Sequence, residues 1–598
     1  MAGATRVYTL FDDAMISMRY AQNLAAGKGL TWNVGLPPVE GFTNPSWTLW
    51  MAFVQLIGVS PPAAGLWVSL SSAGLVFGSA FAIRALARQM YPEDRPLTVL
   101  AFWATATYYP LVFWSLRGME VGLATLLLSI AVLLSLHLQT RFERRRLALL
   151  AGVLCLAVLT RLELLAPAGL IAAFLALRIP HQRRAIGWGL AAPLLGTIAG
   201  ATALRFAYFG EWLPNTYYLK LGGVALGTRL ARGALGLASV SAIHLGGLLL
   251  FVAFGLWQRR GRLRAEEALL LALYSLLSGY SMWVGGDAWD FYGFANRFVT
   301  PGVPLLMLLA LRFVTEAIAR RDGRALCWLA TTFVLLAGLD WLPGATEETR
   351  PAVLRGVASL LPALALLGAG CLVERRAAAH LQALVAGALL LGSSLNPVAG
   401  ALLYGAPHSR GDKGWSAYGL LVRETTAADA TVAVTWAGNA SYFSDRITFD
   451  QLGKTDAIIA HGPNVSPVFR PGHSKWNLSY TFGNLAPDLI AGLYFATEAD
   501  LTQLEARGYS QLMGNCYVRR GTRKVNVAKL RAGLLALSVD PRFSNTLCVR
   551  QVGGTAFPAS WLPASSAIRG PWGCTGRGEG PRRGAGAPLT LRSTSPRR

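Results

Sequence analysis

Charge is scarce in this 598-residue sequence, at 14% of residues, and acid is scarcer than base, with 31 Asp and Glu against 55 Lys and Arg. A soluble chain carries about 25% charged residues, so the deficit excludes an ordinary globular protein in water. Cysteine motifs are also missing. The six cysteines form no CxxC and no HExxH occurs, which removes support for a zinc or redox centre. Cys155, Cys327 and Cys371 lie in apolar runs, where they read as packing residues. Cys516 and Cys548 fall in a later polar stretch and would pair if that stretch is extracytoplasmic. No cofactor motif is present, and a divalent metal is left open.

Long apolar runs are what the sequence has instead. The hydrophobic content is 53%, the mean hydropathy is +0.41, and runs of the length that crosses a bilayer recur from Pro61 to Leu403. Spans are expected near 61–83, 97–115, 119–138, 185–206, 238–257, 266–284, 300–319, 325–342, 352–373 and 380–402. Residues 147–179 add a helical hairpin broken at Thr160-Arg161-Leu162-Glu163, which makes twelve crossings. The net charge of +24 would suit nucleic acid, but that partner needs a basic face on a soluble fold. Here the arginines cluster between apolar runs. They fill every second break: Arg84, Arg88 and Arg95; Arg141 and Arg144 to Arg146; Arg178, Arg183 and Arg184; Arg259 to Arg264; Arg320 to Arg324; Arg375 and Arg376. By the positive-inside rule these breaks are cytoplasmic.

The alternate breaks then face outward: 12–46, Arg117 to Glu120, Thr160 to Glu163, 207–237, Gly285 to Arg297 and 343–351. They divide the chain into a first outer loop over 1–60, a helical membrane domain over 61–403, an extracytoplasmic α/β domain over 404–563 and a disordered basic tail over 564–598. A shifted reading frame would account for that tail. In the α/β domain Thr431 to Thr435 and Ala457 to Ala460 read as strand-like, and Glu498 to Ala506 as helical. The segment from Asp12 has Ile16, Tyr20 and Leu24 on one helical face and is too short and polar to span, so it is expected to lie at the membrane interface.

The outward breaks also hold the polar residues that look out of place in such a chain. They are Asp12, Asp13 and Arg19; Glu40; Arg117 and Glu120; Arg161 and Glu163; Asn215 and Lys220; and Asp287 and Arg297. Singly each reads as a cap, a turn or an anchor. Together, at the outer ends of helices around one implied cavity, carboxylates suit general-base work and cations suit phosphate. Two other classes compete: a transporter or lipid flippase, and a non-enzymatic glycan-binding scaffold using Trp415, Trp436 and Trp476. A transporter calls for mid-membrane charge and paired repeats, and the sequence has neither.

The string DDAMISMRYAQNLAAGKGLTWNVGLPPVEGFTNPSWTL resembles the first outer loop of bacterial membrane glycosyltransferases of the GT-C fold. The likeness is greatest to actinobacterial terminal arabinofuranosyltransferases, and weaker to the protein mannosyltransferase and lipid A aminoarabinose transferase groups. It continues through SLRGMEVGL, LTRLELL, WLPNTYYLKLGG and GGDAWDFYGFANRFVTPGVPLL, and into AGNASYFSDRITFDQLGKTDAIIA and PGHSKWNLSYTFGNLAPDLI, about residues 8 to 550. The resemblance implies a polytopic α-helical membrane protein of GT-C type in the bacterial cytoplasmic membrane. It also implies a polyprenyl-phosphate sugar donor and an extracytoplasmic envelope glycan as acceptor. An acidic residue of the first loop acts as base in that family, which maps to Asp13 or Asp12. Lys220, Arg297, Arg117 and Arg19 are the expected phosphate ligands by placement. Glu120, Arg161, Glu163, Asp287, Asn215 and Glu40 are expected to support them. Relatives carry a transmembrane helix just ahead of the acidic pair, whereas eleven residues precede Asp12 here, so that helix is expected to be missing from the sequence as given.

Overall fold

The computed structural model describes residues 6–241, 245–290, 295–320, 409–493 and 495–540. The expected spans at 325–342, 352–373 and 380–402, the 343–351 loop, Cys548 and the tail at 564–598 lie outside the described residues.

The chain opens with α1 (Asp12–Ala25) and α2 (Pro45–Leu56). Four helices of the bundle follow: α3 (Pro61–Met90), α4 (Arg95–Thr107), α5 (Tyr109–Leu116) and α6 (Val121–Thr140). Proline in the first turn starts α2, α3, α4 and α5, where its missing N–H costs nothing. Next come α7 (Arg144–Thr160) and α8 (Leu165–Arg178), joined as expected by a short turn at Leu162–Leu164. Then α9 (Arg183–Phe209) ends at Gly210, whose φ of 75° needs no Cβ. After it lie α10 (Asn215–Leu221), α11 (Leu226–Val240), α12 (Gly246–Gln258), α13 (Ala265–Trp283) and α14 (Val303–Ala319).

Among the described residues four helical stretches are long and apolar enough to cross a membrane: 61–90, 121–140, 180–209 and 300–317. A fifth arises if α4 and α5, bent by 45°, form one span. Of the expected span at 238–257, α11 and α12 cover residues 238–240 and 246–257. On α9, Trp188, Leu195 and Leu204 are exposed. Such a surface suits lipid, since an apolar patch facing water is costly.

The breaks between helices sort into two groups that match the alternation of charge. At one end Tyr91 Oη donates to Glu267 (2.9 Å) and Arg312 pairs with Asp94 (3.0 Å). There too Arg259 pairs with Glu267 (2.7 Å) and Glu316, and Arg178 with Glu266 (3.3 Å). At the other end the breaks carrying Asp13, Asn44, Glu120, Arg161, Lys220 and Arg297 meet around one cavity.

Residues 409–540 build a mixed α/β layer. Its strands are β1 (Thr431–Val434), β2 (Ile447–Asp450), β3 (Leu489–Ala491), β4 (Tyr509–Met513) and β5 (Cys516–Arg519), in the order β2-β1-β3-β5-β4. Interior strand β1 runs parallel to β2 (Val432 opposite Thr448) and to β3 (Val432 opposite Leu489), while β5 is antiparallel to β3 and β4. Its buried Val432-Ala433-Val434 run fits a strand covered on both faces. Around the sheet lie α15 (Ser409–Thr425), α16 (Ala437–Ser444), α17 (Ala457–His461), α18 (Glu498–Ala506) and α19 (Val527–Val539). Ala457 to Ala460, expected as strand, is helix because the Asp456 side chain accepts from Ile459 N (3.0 Å) and caps it. The helix at Glu498 was legible, and a Thr497–Asp500 capping box starts it. Cys516 is disulfide-bonded.

The layer belongs to the same compact unit as the bundle, Met1–Arg550, and α1 is the reason. Expected at the membrane interface, α1 is instead buried between two cores. Ile16 and Tyr20 pack with Val432, Val434 and Leu489 of the sheet, while Met15, Met18 and Ala21 pack with the bundle. The periodicity of one face was legible, but the core it meets lies more than 400 residues away in sequence. The backbone carbonyl of Asp12 lies where a Cβ on Gly438 would sit. Gly438→Ala is therefore expected to cost about 1–3 kcal/mol, seen as a lower unfolding temperature in detergent. An unchanged temperature would contradict this close approach.

Candidate active site

Five outward breaks and the α/β layer enclose a cavity with about 710 Å³ of empty space, its opening included. Six of the twelve residues expected from sequence line it: Asp13, Glu120, Arg161, Lys220, Asp287 and Arg297. Lys454 and His473, both from the α/β layer, line it too.

Asp13 sits in the first turn of α1, where the helix dipole favours a carboxylate. Its Oδ2 accepts from Arg297 (2.8 Å) and from Trp289 Nε1 (3.4 Å), and its Oδ1 pairs with Lys454 Nζ (3.2 Å). Burial alone would raise the Asp13 carboxyl, but Lys454, Arg297 and His473 outweigh it and hold the group well below its usual range.

The loop after α13 positions Arg297. Gly285 and Gly286 turn the chain with φ of 90° and 78°, and a Cβ on Gly286 would meet Asp290 and Arg232. Asp290 accepts from Asp287 N (2.9 Å) and pairs with Arg232 (2.6 Å). Asp287 then grips Arg297 with both oxygens, accepting from Nε and a terminal nitrogen at 2.8 Å each. This bidentate pairing fixes the guanidinium plane, and Trp114 lies 5.0 Å from the guanidinium. Burial would raise Asp287, but Arg297 more than offsets it and holds it low. In the opposite sense, burial pushes Asp290 up to about 7.

Glu120 receives Arg161 and Asn44 Nδ2 (2.7 Å), and Asn44 in turn accepts from Ser17 (2.9 Å). Arg161 also pairs with Glu163. Lys220 differs from these cations. Among the described residues it makes no hydrogen bond and no contact ion pair, and its Nζ lies 5.8 Å from the centre of the Phe298 ring. Burial, aided by Arg297, lowers its pKa to about 8 despite Asp287 and Asp13. A desolvated ammonium is costly without a paired anion, and among the described residues none is in contact with Lys220.

The other six expected residues stand outside the cavity lining. Asp12 accepts from the backbone N–H groups of Gly438 (3.2 Å) and Asn439 (2.8 Å) at the start of α16. It clamps α1 to the layer and does not face the space beside Asp13. Arg117 is taken by Asp412. Arg19 is spent on the carbonyls of Trp32 (2.9 Å), Ser441 and Arg446 (2.6 Å). Glu40 pairs with Arg205, and Glu163 with Arg161. Asn215 Nδ2 donates to Gly453 O (2.8 Å) and Lys454 O (3.0 Å), tying the Lys220 helix to the Lys454 loop.

Sequence reasoning missed Lys454 and His473. Lys454 lies in a loop after β2 that Asp450 shapes by accepting from Leu452 N (2.9 Å) and Thr455 N (3.1 Å). Their only sequence signal was position, inside the QLGKTD and PGHSKW strings of the family resemblance. Among the described residues no group of three His, Cys, Asp or Glu side chains is placed to hold a metal ion.

No family model matches the chain, and no curated protein does. Two solved structures of ArnT from Cupriavidus metallidurans are similar to it. The apo form is 15% identical over 75% of this chain and 83% of that one, with a TM-score of 0.48. The form bound to undecaprenyl phosphate is 14% identical over the same shares, with a TM-score of 0.45.

Proposed function

We propose that the protein is a multi-pass membrane glycosyltransferase that moves a sugar from a polyprenyl-phosphate donor to a hydroxyl of an extracytoplasmic glycan. One observation carries this reading: a carboxylate, Asp13, and an ammonium with no contact ion pair among the described residues, Lys220, face the same cavity at the less basic end of the helices. Asp13 takes the acceptor proton as the acceptor oxygen attacks the anomeric carbon. The bond from that carbon to the phosphate oxygen breaks in the same displacement. The leaving phosphate goes from one negative charge to nearly two, so Lys220, Arg297 and Arg161 attract it more strongly as the reaction proceeds. That difference is what accelerates a reaction.

The sequence resemblance suggests arabinofuranose or mannose as the sugar and an envelope glycan as the acceptor. The arginine-rich breaks support placing the cavity and the α/β layer outside the bacterial cytoplasmic membrane. Proteoliposomes loaded with radiolabelled polyprenyl-phosphate arabinofuranose or mannose test the reading. Label moving onto an added glycan acceptor is expected. Uptake of free sugar or lipid without transfer would instead favour a transporter.

A further inference from the structure

Asp13 poses a problem that the proposed reaction alone leaves unsolved. A base gripped by two cations is weak, because each cation favours its ionised form. Arg297 binds Asp13 Oδ2 at 2.8 Å, but Asp287 also holds that guanidinium through two bonds, which anchors it. Lys454 is anchored differently. Its ammonium pairs with Asp13 Oδ1 at 3.2 Å, and it stands on the Asp450–Thr455 loop of the α/β layer. Asp12, Asp450 and Asp13 all favour its charged state. Asp12 is occupied by backbone N–H groups, and Asp450 by Leu452 and Thr455 N–H. Lys454 and Lys220 line the same cavity as Asp13.

We propose that Lys454 is a second phosphate ligand, held on Asp13 while the donor is absent, and that the arriving phosphate draws it away and so releases Asp13 to act as base. This rests on the glycosyltransferase reading and deepens it. A phosphate between Lys220 and Lys454 satisfies an ammonium with no contact partner among the described residues and competes with the Asp13 carboxylate for the other. Lys454 is then shared, the Asp13 carboxyl rises toward its ordinary range, and the base becomes competent only with a donor in place. Among the described residues Lys454, Arg297, His473, Lys220 and Asp12 act electrostatically on Asp13, and Asp287, Glu120 and Arg161 share the cavity. Arg297 and Lys454 each hold Asp13 by one contact, but Arg297 is also gripped by Asp287, whereas Lys454 makes its one ion pair with Asp13. Donor binding before acceptor activation also guards against deprotonating a hydroxyl with nothing to attack.

The test is equilibrium binding of undecaprenyl phosphate to the purified full chain in nanodiscs, for wild type, Asp13→Asn, Lys454→Gln and the double variant. Asp13→Asn removes the competitor while keeping the shape, so it is expected to bind about tenfold more tightly than wild type. Lys454→Gln is expected to bind about tenfold more weakly, and the gain from Asp13→Asn is expected to shrink in the Lys454→Gln background. Lys454→Arg keeps the charge and should retain most of the affinity, which separates loss of charge from loss of fold. If wild type binds but Asp13→Asn binds no more tightly, the release mechanism fails and the glycosyltransferase reading stands. If no form binds undecaprenyl phosphate, the reading of the cavity itself fails.

Discussion

Asp13→Asn is expected to lower sugar transfer by about 10²- to 10⁴-fold, the range that a positioned general base contributes. The amide keeps the volume and can still accept from Arg297 and Trp289, so packing around α1 changes little, while the oxygen that takes a proton is lost. Asp12→Asn provides the contrast. Asp12 is spent on the N–H groups of Gly438 and Asn439, so its replacement should lower stability and leave most of the transfer rate. Single-turnover transfer at saturating donor separates the two, because weak folding changes the active fraction and loss of the base changes the rate. Equal rates for both variants would remove Asp13 from the chemistry.

Lys220→Met is expected to reduce kcat/KM by about 10²- to 10³-fold, the effect of removing one group that stabilises developing charge, while leaving the unfolding temperature unchanged or higher. The reason is its isolation: with no contact carboxylate among the described residues to abandon, the methionine strands none of them. Arg297→Met should behave in the opposite way. It leaves Asp287 buried without its cation and Asp13 with Lys454 alone, at a cost of about 3–5 kcal/mol, so protein yield falls with activity. The same isolation gives a pH dependence. Burial sets Lys220 to about 8, so its charge is present below that pH and lost above it. Affinity for undecaprenyl phosphate should hold through neutral pH and weaken above about pH 8, and Lys220→Met should abolish that alkaline limb. A limb that survives the substitution would assign it to another group.

What could be read from the sequence divides along physical lines. Charges in the breaks between apolar runs are rare enough to stand out, which is why Asp13, Glu120, Arg161, Lys220, Asp287 and Arg297 were legible. Neighbours on a helix project about 100° apart, so Asp12 and Asp13 could not be told apart until α1 was seen between its two cores. Arg19 and Arg117 have the right chemistry, but their acceptors are the carbonyls near residues 441–446 and the Asp412 carboxylate, contacts that no local pattern encodes. Lys454 and His473 sit in a polar stretch where charge is common, so nothing set them apart. The α/β layer was legible as a change of composition. Its role in the cavity was not, because β1 and the loop after β2 reach α1 only through tertiary packing.

One measurement tests the central claim most directly: the anomeric configuration and yield of the glycoside formed when purified protein meets a polyprenyl-phosphate sugar and an acceptor. A base at Asp13 and a single displacement predict product with inverted configuration from wild type and almost none from Asp13→Asn. Retained configuration, or equal product from the two proteins, would contradict the account.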